Sequence, residues 1–148
     1  MKRILALLIA LVTVPLAVGC PGNSPMDRKI EADLWTYIQQ EDQAGWVISG
    51  YDNVSGTYKN IVTDHKLRPA NFDLAIDGQA VNPLHQRNML EDIARKWRSL
   101  YPANMTPRFN MRVTFYDKTI SHATELGYTE IDKDGTVRTH HSKTQDVM

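Results

Sequence analysis

The clearest structural signal in this chain is the alternation of apolar and polar side chains between residues 109 and 116. Phe109, Met111, Val113 and Phe115 alternate with Asn110, Arg112, Thr114 and Tyr116. Because neighbouring side chains of a β-strand point to opposite faces, this pattern predicts a strand with one face on a core and the other in water. Such a sheet needs a second layer of structure over its apolar face.

The segment after Ser24 has the start signals of a helix. Ser24 is a favoured N-cap residue, Pro25 takes the first helical position, and Asp27 places an acid near the positive end of the helix. The apolar residues that then recur at helical spacing are Ile30, Leu34, Tyr37 and Ile38. We expect this helix to end near Gly45.

A second helix is predicted from Asn82-Pro83 to about Leu100. Its apolar face contains Met89, Leu90, Ile93, Trp97 and either Leu100 or Tyr101. On the other face, we expect Glu91 to pair with Arg95 and Asp92 to pair with Lys96, one helical turn further along.

Shorter segments between and after the helices are typical of strands. They cover residues 46–49, 57–63, 72–76, 124–131 and 136–141, with a tight turn at Asp77-Gly78 and a closing hairpin around Gly135. Since strands joined by short turns are antiparallel, we predict an α+β fold, an antiparallel sheet of about four to six strands with two helices packed on one face. Residues 25–141 form this single domain, and residues 142–148 are expected to be a frayed tail.

The composition excludes several classes of protein. The 17 basic residues balance 17 acidic residues, which argues against a strongly basic nucleic-acid binder. The chain has a single cysteine, so neither an intramolecular disulfide framework nor a multi-thiolate metal site is possible. With 42% hydrophobic residues, the composition is that of an ordinary globular domain.

Residues 1–20 have a separate character. Lys2 and Arg3 precede an uncharged, mostly apolar run over residues 4–18, which is shorter than the roughly 20 residues of a bilayer span. A positive start followed by such a run is typical of a secretory signal. The sequence Leu16-Ala17-Val18-Gly19-Cys20 resembles the lipobox of bacterial lipoproteins, and it contains the only cysteine of the chain.

This resemblance implies that residues 1–19 are a signal peptide removed before Cys20. The sulfur of Cys20 would carry a diacylglycerol and its new amino group an acyl chain, which together hold a protein stably on a membrane. The presence of Pro21, rather than Asp, after the cysteine implies sorting to the outer membrane, on its periplasmic side. Two alternatives stay open: a signal cut without lipidation at a small-residue site, and an uncleaved short anchor.

The resemblance further implies that residues 20–24 are the lipidated cysteine and a short tether to the first predicted helix. The four residues from Pro21 to Ser24, even when fully extended, span only about 14 Å. We therefore expect the domain to lie close to the bilayer, with its partners at or near the membrane.

The sequence contains no motif that assigns a catalytic or metal site. It lacks a G-x-S-x-G elbow, an H-E-x-x-H helix and a glycine-rich phosphate loop. His140 and His141 are adjacent, so on a strand they point to opposite faces and do not share an ion. We therefore predict no catalytic residue, no metal and no cofactor. A pair of carboxylates for glycan hydrolysis stays open, because such a pair is defined by its separation in space.

The polar side of the alternating strand is the candidate partner-binding face. By alternation, this face is expected to contain Arg112, Thr114, Tyr116, Thr129, Arg138 and His140. Arginine and tyrosine are enriched at protein interfaces. A plain solvated sheet face is the alternative interpretation.

These features together predict a lipid-anchored periplasmic envelope lipoprotein. We expect a non-enzymatic binding or assembly accessory for a membrane-proximal protein partner, held on the membrane by N-terminal acyl chains and not binding nucleic acid. A lipoprotein encoded by a mobile element would have the same features. The alternative is a small envelope hydrolase that acts on peptidoglycan or lipid.

Overall fold

The structure is a computed structural model that describes residues 24–46, 58–68, 70–102, 110–117 and 124–141. These residues form α1 Pro25–Ala44, β1 Val62–Arg68, β2 Asn71–Ile76, α2 Pro83–Ser99, β3 Met111–Asp117, β4 Glu125–Ile131 and β5 Val137–His141. The predicted signal peptide, Cys20 and the predicted tail lie outside the described residues. Neither helix in the described ranges combines the length and apolar character needed to cross a bilayer.

The five strands form one sheet in the order β1-β2-β3-β4-β5. Three neighbouring pairs are antiparallel, which confirms the α+β fold with a largely antiparallel sheet. The central pair, β2 and β3, is parallel, a pairing that the sequence prediction did not contain. Adjacent parallel strands require a long crossover, and α2 lies in that crossover between β2 and β3.

The helices pack against one face of the sheet, and the core lies between the two layers. Met111, Val113 and Phe115 of β3 are buried in it, as their alternation predicts. The other buried apolar residues of the central strand pair and the two helices include Ile30, Leu34, Ile38, Phe72, Leu74, Ile76, Met89, Leu90, Ile93 and Trp97. This set contains most of the apolar positions predicted for both helices.

The ends of α1 confirm the predicted start and stop. The Ser24 hydroxyl accepts from the Asp27 backbone N–H at 3.1 Å, while the Ser24 backbone N–H donates to the Asp27 carboxylate at 3.2 Å. This reciprocal pair satisfies helix donors that would otherwise lack partners. At the other end, Gly45 has a φ of 92° and donates its N–H to the Glu41 carbonyl at 2.9 Å. Glycine adopts this left-handed conformation without steric strain.

The strand predicted at 57–63 is wrong in position, because β1 begins only at Val62. The backbone N–H groups of Ile61 and Val62 donate to the Asp42 carboxylate at 3.0 and 3.2 Å, so α1 rather than a neighbouring strand satisfies these two groups. Asn60, with a φ of 56°, interrupts the extended chain before them. Trp46, where another strand was predicted to begin, has a φ of 36° and follows the capping Gly45 of α1. Residues 47–49 lie outside the described residues.

Two further local predictions are also wrong. Instead of a tight turn after β2, residues Gly78–Ala80 form a short 3-10 helix. The acids expected on the solvent side of α2 contact other elements: Glu91 accepts from the Thr139 hydroxyl of β5 at 2.8 Å, and Asp92 accepts from the Tyr37 phenol of α1. The predicted ion pairs along α2 do not form in the part of the chain that the structure describes.

Candidate functional site

The face of the sheet turned away from the helices carries most of the predicted partner-binding residues, and we call it the open face. In-register residues of neighbouring strands project to the same side, so the pairings identify its members. One row across all five strands consists of Arg68, Asn71, Arg112, Glu130 and Arg138. The adjacent row consists of Lys66, Asp73, Thr114, Tyr128 and His140.

The structure places five of the six residues predicted for the partner-binding face on the open face: Arg112, Thr114, Tyr116, Arg138 and His140. Among them, Thr114 is only 2% exposed, because it lies in the middle of the central strands, so it offers a partner almost no surface.

Thr129 was expected on this face as well, and that prediction is wrong. It pairs with Val113, whose side chain lies in the core, and its hydroxyl contacts the Thr139 hydroxyl at 2.8 Å. The register between β3 and β4 instead puts Tyr128 and Glu130 on the open face. The sequence shows that polar and apolar residues alternate in β4. Which of the two alternating sets faces the core is determined by the register with β3.

An ion pair between Arg68 and Asp73 links β1 to β2. The Arg68 Nε and Nη2 atoms lie 2.6 and 2.5 Å from the Asp73 Oδ2 atom. The Asp73 side chain is 1% exposed, whereas the Arg68 side chain is 47% exposed. The second carboxylate oxygen of Asp73 has no hydrogen-bond partner among the described residues. Arg68 therefore compensates a buried charge while leaving part of its own guanidinium in solvent.

Tyr116 of β3 lies next to this pair. Burial raises the pKa of the Tyr116 phenol, and the carboxylates of Asp73 and Glu125 raise it further, while Arg68 opposes them. The phenol therefore stays protonated at neutral pH, so Tyr116 offers a neutral donor and an aromatic surface.

A second ion pair joins β3 and β4. The Arg112 Nη2 and Nε atoms lie 2.6 and 3.1 Å from the Glu130 Oε1 atom. The centre of the Arg112 guanidinium lies 4.0 Å from the centroid of the Tyr128 ring, and the His140 ring stacks on the same tyrosine at 4.7 Å. The cation–π contact and the stacking hold these side chains in a fixed arrangement on the open face.

A third ion pair lies at the hairpin between β4 and β5. The Arg138 Nη2 atom is 2.7 Å from the Asp132 Oδ2 atom. Arg98 of α2 donates to the Asp132 carbonyl at 3.3 Å, and Gly135, with a φ of 91°, donates its N–H to the same carbonyl at 2.9 Å. The hairpin predicted around Gly135 is therefore present, and its turn positions the acid that holds Arg138.

A different polar cluster lies in the helix layer. His85 and Asn88, one turn apart on α2, are both buried, and the His85 Nδ1 atom and both polar atoms of the Asn88 amide have no hydrogen-bond partner among the described residues. The Tyr58 and His85 rings contact each other in an edge-to-face arrangement, with 4.3 Å between the ring centroids. Burial lowers the pKa of His85, so its imidazole is neutral at neutral pH.

The open face fits recognition better than acid–base chemistry. Two of its acids, Asp73 and Glu130, are each paired with an arginine. Glu125 also lies on this face, in register with Tyr116. Within the described residues, no three His, Cys, Asp or Glu side chains are grouped closely enough to hold a metal ion. Residue-level prediction missed the six other members of the two rows, because each joins the face through strand pairing rather than through a local motif: Lys66, Arg68, Asn71, Asp73, Tyr128 and Glu130.

Comparison with protein-family models, with curated proteins and with solved structures yields no match. The function of this surface is therefore argued from its geometry and from the N-terminal sequence.

Proposed function

We propose that this protein is a lipid-anchored envelope lipoprotein of the periplasm, on the outer membrane, whose open face binds a membrane-proximal protein partner. It acts as a non-enzymatic binding or assembly accessory. The observation that carries this proposal is the construction of the open face, in which partly exposed arginines and tyrosines are held in place by ion pairs and ring contacts. Arginine and tyrosine are the residue types that most often dominate the energy of protein interfaces.

The position of the domain relative to the membrane follows from the N-terminal residues. Cys20 is the attachment point for the acyl chains, and α1 begins at Pro25. The intervening residues, fully extended, reach about 14 Å. The domain therefore works beside the bilayer, and we expect its partner at or near the membrane.

The alternative function, hydrolysis of peptidoglycan or lipid by paired carboxylates, receives less support from this face. A glycan hydrolase needs one carboxyl group to donate a proton and another to act as base or nucleophile. Asp73 and Glu130 are both held by arginines at 2.5–2.6 Å, in charge-assisted hydrogen bonds. A binding role is compatible with Asp73 and Glu130 remaining paired with their arginines.

Site-specific photo-crosslinking tests the binding role. A photoreactive residue in place of Tyr116, on the open face, is expected to give a discrete adduct with one envelope protein in intact cells. The matched control replaces Arg87, which is exposed on α2 in the helix layer, and is expected to give no such adduct. Absence of a discrete adduct from position 116, or the same adduct from position 87, would refute binding by this face.

Cysteine replacement tests the anchor. The Cys20→Ser variant is expected to lose palmitate labelling and to leave the membrane fraction, because the hydroxyl does not accept the thioether-linked lipid. The Pro21→Ser variant, which keeps the sulfur, serves as the control and is expected to stay membrane-bound. Palmitate labelling that persists in Cys20→Ser would contradict the anchor.

A further inference from the structure

The three ion pairs of the open face share one asymmetry. In each pair the arginine is the more exposed partner: Arg68 is 47% exposed against 1% for Asp73, Arg112 is 38% against 23% for Glu130, and Arg138 is 56% against 13% for Asp132. The acids therefore lie beneath, and the guanidinium groups form the accessible layer. We call Arg68, Arg112 and Arg138 the arginine row.

The spacing of the arginine row determines the size of ligand that can contact all of it. The three residues are in register on β1, β3 and β5, so that successive arginines are two strands apart. With neighbouring strands about 4.8 Å apart, successive Cα atoms of the row are roughly 10 Å apart. A single small anion cannot contact all three guanidinium groups, whereas a surface with several carboxylates can.

The arginines also keep donors for a second carboxylate. A guanidinium has five N–H donors, and Arg68 and Arg112 each direct Nε and Nη2 at one oxygen of their own acid. The remaining N–H groups are not used in these pairs. Charge-assisted bonds from arginine to carboxylate are among the strongest hydrogen bonds in proteins. The rings of Tyr116, Tyr128 and His140 beside the row supply contact area.

We propose that the arginine row docks an acidic segment of a protein partner, with at least one carboxylate for each arginine. This inference rests on the proposed binding function and specifies the chemistry of the partner. An anionic bilayer is the less suitable occupant, because attraction to lipid headgroups follows surplus basic charge, at about 1 kcal/mol per residue. Each arginine of the row already has its own acid, and the chain without residues 1–19 has 15 basic against 17 acidic residues. A protein segment can instead place its carboxylates on the unused donors.

Binding of a defined peptide pair tests the proposal on the lipidated protein in detergent micelles. The probe is a fluorescent glutamate-rich peptide, and its matched control has glutamine at every glutamate. Fluorescence anisotropy is expected to show binding of the glutamate peptide that weakens with added salt, and binding of the glutamine peptide that is at least about tenfold weaker.

Variants assign the binding to the arginine row. We expect weaker glutamate-peptide binding in Arg138→Gln, which changes the most exposed arginine of the row. The double variant Arg112→Gln/Arg138→Gln should weaken this binding by about tenfold or more. Thermal unfolding shows whether both variants remain folded. Arg68 is left unchanged, because its removal would strand the buried Asp73. Arg87→Gln, which removes an arginine of another exposed ion pair, is the control and should bind as the parent does.

Three results would overturn the proposal: equal binding of the two peptides, an equal loss of glutamate-peptide binding in Arg87→Gln and in the row variants, or binding to phosphatidylglycerol vesicles but to neither peptide.

The crosslink from position 116 distinguishes failure of this proposal from failure of the proposed binding function. An adduct that forms equally well in the Arg112→Gln/Arg138→Gln background shows that the face binds a partner without the arginine row. Loss of the adduct in that background, and its retention in Arg87→Gln, supports the acidic partner.

Discussion

The two faces of β3 are built from the same strand but are stabilised in different ways. Towards the helices, Met111, Val113 and Phe115 are buried among other apolar side chains. Towards the open face, Thr114 is buried as well, and the neighbouring Asp73 is only 1% exposed. Burial therefore does not distinguish the faces at the centre of the sheet. The difference lies in how buried atoms are satisfied: by close packing on one side, and by charged partners on the other.

This difference predicts two kinds of sensitivity to substitution. On the helix face, removing a side chain loses apolar contact and leaves a cavity. On the open face, removing one partner of an ion pair leaves the other charge uncompensated, and the loss depends on how buried that remaining charge is. The helix face should thus tolerate little truncation, while the open face should tolerate changes made in complementary pairs.

The largest expected effect is truncation on the helix face. Phe115→Ala should lower the free energy of unfolding by about 3–5 kcal/mol, since Phe115 is fully buried and the sheet cannot collapse into the space. Tyr116→Ala, one residue along on the open face, is the control and should lose less. Urea denaturation measures both. An equal loss at the two positions would remove the contrast between the faces.

A smaller effect is expected from breaking the most buried ion pair of the open face. Arg68→Gln should lower the free energy of unfolding by about 2 kcal/mol, below the range for fully buried pairs because Arg68 is half exposed. Asp73→Asn in the same background should recover part of this loss, because it removes the stranded charge. A double-mutant cycle from chemical denaturation measures the coupling.

The control for that cycle is Arg87→Gln, whose ion pair with Glu91 has a 20% exposed acid. This change should alter stability by no more than about 0.5 kcal/mol. If Asp73→Asn gives no recovery in the Arg68→Gln background, stranded charge is not the reason for the loss.

The smallest expected effect concerns pH and the helix layer. Burial lowers the folded-state pKa of His85 below its unfolded value, which is about 6.5. As the pH falls below about 6.5, the unfolded chain takes up a proton that the folded chain resists, so the free energy of unfolding falls. His85→Gln removes this titration. The stability of the parent relative to His85→Gln should therefore decline between pH 7.5 and pH 5.5 in urea denaturation; an unchanged difference would contradict a depressed pKa.

Several features of the fold could be predicted because their causes are local. The start of α1 depends on Ser24, Pro25 and Asp27, which lie within four consecutive positions, and its end depends on the left-handed conformation of Gly45. The faces of β3 follow from strict alternation over residues 109–116. In each case the physical cause lies within a few consecutive residues of the chain.

Other features depend on residues that are distant in the sequence. Asp42 of α1 accepts from the backbone of Ile61 and Val62 where β1 begins. Asp92 accepts from Tyr37 of the other helix instead of pairing along its own. A local pattern shows that a side chain is polar, but the partner nearest to it is known only when the elements are packed together.

For the candidate site, the amino-acid sequence was sufficient to identify a strand with a polar outer face that contains Arg112 and Tyr116. It also predicted Arg138, from another strand, on the same face of the sheet. The lipidation of Cys20 also remains a prediction from sequence. Three-dimensional packing added the parallel pairing of β2 with β3 and the register of β4, which brought Asp73, Tyr128 and Glu130 beside those residues and moved Thr129 to the helix face. The physical reason is that an alternating strand can turn either of its two faces towards the core. Its hydrogen-bonded register with the neighbouring strand determines which face that is.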